Sequence, residues 1–325
     1  MKAPRAVLWG TLGWHPAVQA WSGFVGCPCA PERIEVLRKG KHSATYRVAG
    51  VGPEGESIIA QRTPRSRASI ERTVYEHILP RLPVTTPRYY GSKQEDRAFV
   101  WLFFQDVGDA RWSPSDPVHL TLAGRWLGRM HTAATQVGAA RRLPDGGPSR
   151  YLDHLRGGRH TMRVNLANEA LGPDDVELLT RLIATLDALE GGWDRLEHAC
   201  SGVPRTLVHG DFQRKNAYVR SGAHGLELFA IDWEMAGWGV PAVDLTKIDL
   251  ETYWSVVTAW WPELRIEDLR RLAAVGRIFE QLCAVHWVSP ELSRSAALYL
   301  RRPMSWLRVF EGRLAEAIRD LGGMG

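Results

Sequence analysis

Asp211, Asn216 and Asp232 stand in order within a short stretch of this chain: Asp211 in His209-Gly210-Asp211-Phe212, Asn216 five positions later, Asp232 after Ala230-Ile231. An isolated Asp or Asn on a loop is ordinarily a turn former. Here the segments that join them have their own signals. Ala217-Tyr218-Val219-Arg220 and Leu226 to Ile231 are β-prone runs linked by the glycine-containing turn Ser221 to Gly225, which predicts a hairpin. A hairpin makes Asn216 and Asp232 spatial neighbours although they are 16 positions apart. Two oxygen donors on adjacent strand ends suit Mg²⁺, which keeps other positions for water and phosphates. Asp211 could then take the proton from an attacking hydroxyl, so the set suits phosphoryl transfer. Gly210 would relieve a tight backbone before the base, and His209 would orient the loop by hydrogen bonding.

Phosphoryl transfer also needs backbone amides and a cation over the phosphates. Gly40-Lys41-His42-Ser43 lies between two predicted strands, where such a loop belongs, although a plain hairpin fits as well. Before Asp106 the order reads strand, strand, strand, helix, strand, strand: Ile34–Gly40, Ser43–Gly50, Glu56–Arg62, Ser66–Leu79, Arg88–Tyr90 and Ala98–Phe104. That is a small antiparallel sheet carrying one helix. After it, Leu120–Ala134, Asp174–His198 and most of 247–320 read as helices. Residues 1–31 look like an accessory segment.

His-Gly-Asp-Phe-x-x-x-Asn followed by Ile-Asp-Trp-Glu, with Pro241-Ala242-Val243-Asp244-Leu245 beyond, resembles the aminoglycoside phosphotransferase/choline kinase family, relatives of protein kinases. The likeness is concentrated in residues 207–245 and extends diffusely over 34–310. It implies an α+β, two-lobe protein-kinase-like fold, with a nucleotide-binding lobe over residues 1–108 and a helical catalytic lobe over 109–325. It further implies ATP in the cleft, Asp211 as base, Asn216 and Asp232 on Mg²⁺, and Asp244 supporting the catalytic loop. Gly40 and Ser43 then belong to the phosphate loop. Gln105, Asp106 and Val107 belong to the segment whose backbone meets the adenine. His131 matches a family helix ending in Leu-His and reads as structural.

The family carries Lys, or sometimes Arg, on the third strand. This chain has Ile58-Ile59-Ala60-Gln61-Arg62, which makes Arg62 the expected phosphate clamp with Glu71 as its partner and Glu76 as second choice. A shift of one residue would put Gln61 there instead.

The acceptor is read from charge. Aminoglycosides are polycations, yet residues 209–325 hold 14 basic and 15 acidic residues, with no acidic surplus. Glu234, Asp244, Asp249 and Glu251 could gather locally among Trp233, Trp238 and Trp254, with Glu234, Asp249 and Glu251 as the expected acceptor contacts. That mixture suits a small amine-bearing hydroxyl acceptor, an aminoglycoside or related antibiotic ahead of choline-like amino alcohols. A nucleotide-binding pseudokinase is the alternative that the missing lysine raises. A protein kinase fits less well, because no Ala-Pro-Glu segment follows Asp232.

Other classes recede. No stripe of basic and aromatic residues marks a nucleic-acid surface, and no run is long and apolar enough for a membrane span. Gly10, Gly13, His15 and Pro16 interrupt the apolar patch at Ala6–Trp9 too early for a signal peptide, so a cytoplasmic protein is expected. Cys27-Pro-Cys29 has neither a nearby Cys pair nor His at ligand spacing, so no zinc site is expected.

Overall fold

Alternating β-branched and aromatic residues build the first part of the chain into a sheet, and longer amphipathic segments build the rest into helices. The structure is a computed structural model and describes residues 6–40, 43–223 and 225–323. Lys41 and His42 of the expected phosphate loop lie outside the described residues. The chain divides into two compact units, Met1–Ser113 with Gln213–Ala236, and Pro114–Phe212 with Gly237–Gly325.

The first unit is built on strands β1 (Val7–Leu8), β2 (Ile34–Lys39), β3 (Ala44–Val48), β4 (Ile58–Pro64), β5 (Tyr89–Gln94) and β6 (Phe99–Gln105). They form one antiparallel sheet in the order β1-β2-β3-β4-β6-β5. Helix α1 (Pro16–Val25) lies on one face. It starts at Pro16, with His15 capping Ala17 N–H, and ends at Gly26 in the left-handed region (φ 81°). Its Ala17, Val18 and Trp21 bury against Ile34, Val48, Ile58, Ala60, Trp101 and Phe103. Full burial of a side chain as large as Trp21 is worth about 2–3 kcal/mol, enough to hold a ten-residue helix that could not persist alone.

Helix α2 (Arg65–Thr73) occupies the other face and runs on as a π-helical turn, Val74–Ile78. Its Tyr75 meets Phe104 at 4.8 Å between ring centroids. The two faces follow from the strand period of two: Ile58, Ala60 and Phe103 look toward α1, and Phe104 looks toward α2. The hairpin of β8 (Ala217–Gly222) and β9 (Gly225–Ala230) groups with this unit through Val107, which packs on Tyr218 and Phe229.

The second unit contains α3 (Pro117–Ala134), α4 (Pro148–Asn165), α5 (Pro173–Gly191), α6 (Trp193–Cys200), α7 (Leu250–Val257), α8 (Ile266–Val288) and α9 (Ala297–Gly322). Strand β7 (Thr206–Val208) pairs antiparallel with β10 (Gly237–Gly239). Helix α8 is central and touches α4, α6, α7 and α9; its Phe279 stacks on Tyr151 at 4.2 Å. Gly276 brings α8 against the Ala242 carbonyl so closely that a methyl group there would overlap it. No described helix is long and apolar enough to cross a membrane.

Candidate active site

Asp211 lies in the second unit on the loop that leaves β7. That loop is held from beneath by Asp244, which is buried (1% exposed). Asp244 Oδ2 accepts the His209 N–H at 2.7 Å and Oδ1 accepts the Gly210 N–H at 3.0 Å. His131 Nε2 stands 3.3 Å from Asp244 Oδ2, and His131 Nδ1 stands 2.9 Å from the Tyr253 hydroxyl. Burial pushes the Asp244 carboxyl up. Its hydrogen bonds and the neighbouring His131 and His209 outweigh that, so it stays below the usual carboxylate range. Gly210 has φ 75°, and the Asp211 N–H donates to His209 Nδ1 at 3.3 Å. Each part of the loop is thus fixed by a buried partner, and Asp211 itself is 7% exposed. His209, Gly210, His131 and Asp244 hold the supporting places expected of them.

The first unit carries Asn216 and Asp232. The hairpin pairs Ala217 with Ala230, and the Ile231 N–H donates to Asn216 O at 2.9 Å. The register therefore sets Asn216 opposite Ile231, one residue from Asp232. Asp232 has φ 65° and ψ 62°, and it is the only non-glycine residue with positive φ among the described residues. A side chain in that region costs about 1–2 kcal/mol, a strain that collects at functional positions. Its carboxylate and the Asn216 amide are hard oxygen donors, which fits magnesium. Among the described residues no three His, Cys, Asp or Glu side chains gather as a metal-binding group.

Glu71, on α2, is buried (2% exposed). It accepts the Trp233 backbone N–H and a hydrogen bond from Gln61 Nε2 at 3.3 Å. Burial, with Asp232 and Glu234 nearby, pushes its carboxyl up to about 8. The partner of Glu71 is thus Gln61, which corrects the expected pairing with Arg62. Arg62 shares the α1 side of β4 with Ile58 and Ala60; its Nε meets Glu95 Oε2 at 2.5 Å, and its guanidinium covers Phe99 at 3.7 Å. Alternation along the strand admitted both registers, and the face against α2 belongs to Gln61. Glu76 pairs instead with Arg72 at 3.0 Å.

Gly40 N–H donates to Ser43 O at 2.8 Å, closing the base of their loop. Gln105 ends β6; its backbone N–H donates to Arg88 O at 2.8 Å, and its side-chain Oε1 accepts the Arg88 N–H at 3.2 Å. Asp106 Oδ2 lies 2.7 Å from Arg47 Nε, which ties the segment after β6 to β3; Val107 packs on the hairpin. Glu234 is 3.8 Å from Arg67. Asp249 caps α7 and accepts from Thr252 Oγ at 2.6 Å and Thr121 Oγ at 3.2 Å, and these bonds keep its carboxyl below the usual range. Glu251 lies on the surface with Arg270 at 2.6 Å. Trp233 is fully buried, and Trp254 donates to Leu264 O.

The chain matches the model of the phosphotransferase enzyme family over residues 33–282, and it belongs to that family. Among solved structures it is similar to choline kinase from Cryptosporidium parvum Iowa II (TM-score 0.61, 10% identity, 90% of each chain covered). It is also similar to a microcompartment-associated aminopropanol kinase (TM-score 0.59, 17% identity, 90% of this chain and 93% of the other). A third is the GDP complex of aminoglycoside 2'-phosphotransferase-IIIa (TM-score 0.58, 13% identity, 89% and 93%). At these identities the likeness shows the fold, which is protein-kinase-like. No curated protein sequence matches.

Proposed function

We propose that this phosphotransferase is an ATP- and magnesium-dependent kinase that phosphorylates a hydroxyl group of a small, amine-bearing molecule. The observation that carries the reading is the Asp211 loop. Two of its amides are anchored on one buried carboxylate, so the carboxylate of Asp211 is presented without an ordering cost at each turnover. Asp211 accepts the acceptor's hydroxyl proton as that oxygen bonds to the γ-phosphorus and the nucleoside diphosphate leaves. Asn216 and Asp232 would hold Mg²⁺, whose chemistry is to neutralise phosphate charge. Gln61 and Glu71, rather than Arg62, stand where the family's lysine and its partner belong.

The amine-bearing acceptor rests on the names of the similar structures, an aminopropanol kinase, a choline kinase and an aminoglycoside phosphotransferase. Among this chain's carboxylates Glu234 remains the best candidate contact. Its side chain is partly exposed and lies 3.8 Å from Arg67, while Asp249 caps α7 and Glu251 pairs with Arg270 on the surface. One observation favours a second reading, a nucleotide-binding protein without turnover: the amide of Gln61 in the lysine's place.

Labelled ATP with magnesium, screened against aminoglycosides, amino alcohols and neutral sugars, separates these readings. Turnover should appear with an amine-bearing acceptor, and Asp211→Asn should lower kcat by about 10²–10⁴-fold with little change in ATP affinity. A variant that keeps most of its kcat would remove Asp211 from the role. Phosphorylation of neutral acceptors alone would sink the proposed acceptor class.

A further inference from the structure

Between α2 and the strands β5 and β6, the first unit has a cavity of about 740 Å³ whose lining does not include Glu71. Its lining includes the guanidinium-bearing residues Arg65, Arg72 and Arg97 and the hydroxyl-bearing Ser66, Ser69 and Ser92. No carboxylate lines it. Acids close in sequence to the lining residues are occupied: Glu76 holds Arg72, Glu95 holds Arg62, and Asp96 accepts the Ala98 and Phe99 amides in its own turn.

The backbone explains why these charges converge. The Arg65 N–H donates to Ala98 O at 2.8 Å, which fastens the start of α2 to the β5–β6 turn that carries Arg97. Arg65, Ser69 and Arg72 recur at helical spacing and so share a face of α2. Among the described residues neither Arg65 nor Arg97 has an ion-pair partner. Two like charges are thus held at one cavity with donors around them and no anion from the protein. Arginine's planar fork matches phosphate oxygens, and serine hydroxyls with the Gln94 amide can complete the set. Ala68 and Val100, both buried, supply an apolar floor, and the volume exceeds what a phosphate group alone would fill.

We propose that this cavity is a binding site for a phosphate-bearing small molecule, distinct from the Asp211, Asn216 and Asp232 residues, with the phosphate on Arg65 and Arg97 and the carbon body over Ala68 and Val100. The site belongs to the unit that holds Glu71, and its occupant braces the helix on which Glu71 sits. The proposal does not depend on the chain's being an active kinase.

Titration calorimetry in low salt tests it, with inorganic phosphate, pyrophosphate and ribose 5-phosphate as probes. The wild-type chain should bind at least one probe with Kd of about 1 mM or tighter, and a ribose 5-phosphate affinity above that of inorganic phosphate marks the contribution of the carbon body. Raising salt to about 0.2 M should weaken binding by roughly tenfold, as screening of exposed charges requires. Arg65→Ala with Arg97→Ala should lose at least about tenfold in affinity. Ser69→Glu, which puts an anion into the cavity, should do the same by another route. Both changes are at exposed positions, so the thermal midpoint should stay near wild type and report intact folding. Absence of binding by all three probes, or binding that survives both variants in folded protein, would overturn the proposal.

Discussion

Replacing Glu71 by Gln tests the most unusual electrostatic arrangement in the molecule. Glu71 is buried, has no cationic partner on β4, and lies near Asp232 and Glu234, so its carboxyl titrates near 8 instead of the ordinary 4.5. The direction of the effect follows from proton counting. Between those values the unfolded chain has released this proton and the folded chain has kept it, so stability falls as pH rises. Each pH unit costs the fold about 1.4 kcal/mol. The loss is about 3 kcal/mol by pH 7, and it levels off near 5 kcal/mol above pH 8. In Glu71→Gln the new side chain would keep an acceptor for the Trp233 N–H and would not titrate. In urea denaturation followed by tryptophan fluorescence without magnesium, the variant should match the wild type within about 1 kcal/mol at pH 4.5. It should then gain on it steadily up to pH 8. Asp232 and Glu234 are present in both proteins, so the difference reports Glu71 together with its coupling to them. Stability curves that stay parallel from pH 4.5 to 8 would refute the reasoning.

Gln61→Lys puts an ammonium beside Glu71 and should flatten the same pH dependence, whereas Arg62→Ala on the opposite face should leave it alone; the same denaturation series checks both. Asp232→Gly should remove magnesium dependence from ATP binding measured by calorimetry. By relieving a left-handed backbone, it should also raise the stability of the metal-free protein by about 1 kcal/mol, and a loss of stability would contradict that. Gly276→Ala drives a methyl into the Ala242 carbonyl and should cost about 3 kcal/mol or more in a chemical melt, with a change under about 1 kcal/mol counting against the packing described.

The hairpin and the Asp211 loop were legible because their signals are local: β-prone runs, a glycine turn, and side chains that bond their own backbone. The same holds for the six-element order from β2 to β6. Other features needed tertiary information. Alternation shows that Gln61 and Arg62 face opposite ways, but only the seat of α2 decides which of them meets Glu71. Helix α1 carried usable marks, Pro16 at its first turn and Gly26 beyond its end, yet its burial depends on a sheet face formed by residues far along the chain. Helix α4 was obscured by the pair Gly157-Gly158, which weakens helix propensity. Both glycines lie against His286 of α8; a methyl group at Gly157 would collide with its ring, and one at Gly158 would press on its backbone. Asp249 and Glu251 looked available in sequence because their partners Thr121 and Arg270 are distant along it.

The amide at Gln61 also bears on how this chain would be found in a cell extract. Reagents that tag kinases by passing an acyl group from a nucleotide phosphate to an adjacent lysine need an amine on this strand, and β4 has none. Such a survey would record the chain as silent at this position even with nucleotide bound. Capture on an immobilised nucleotide requires no nucleophile and would retain it, so the two methods should disagree about this protein in a way that reports the side chain at position 61.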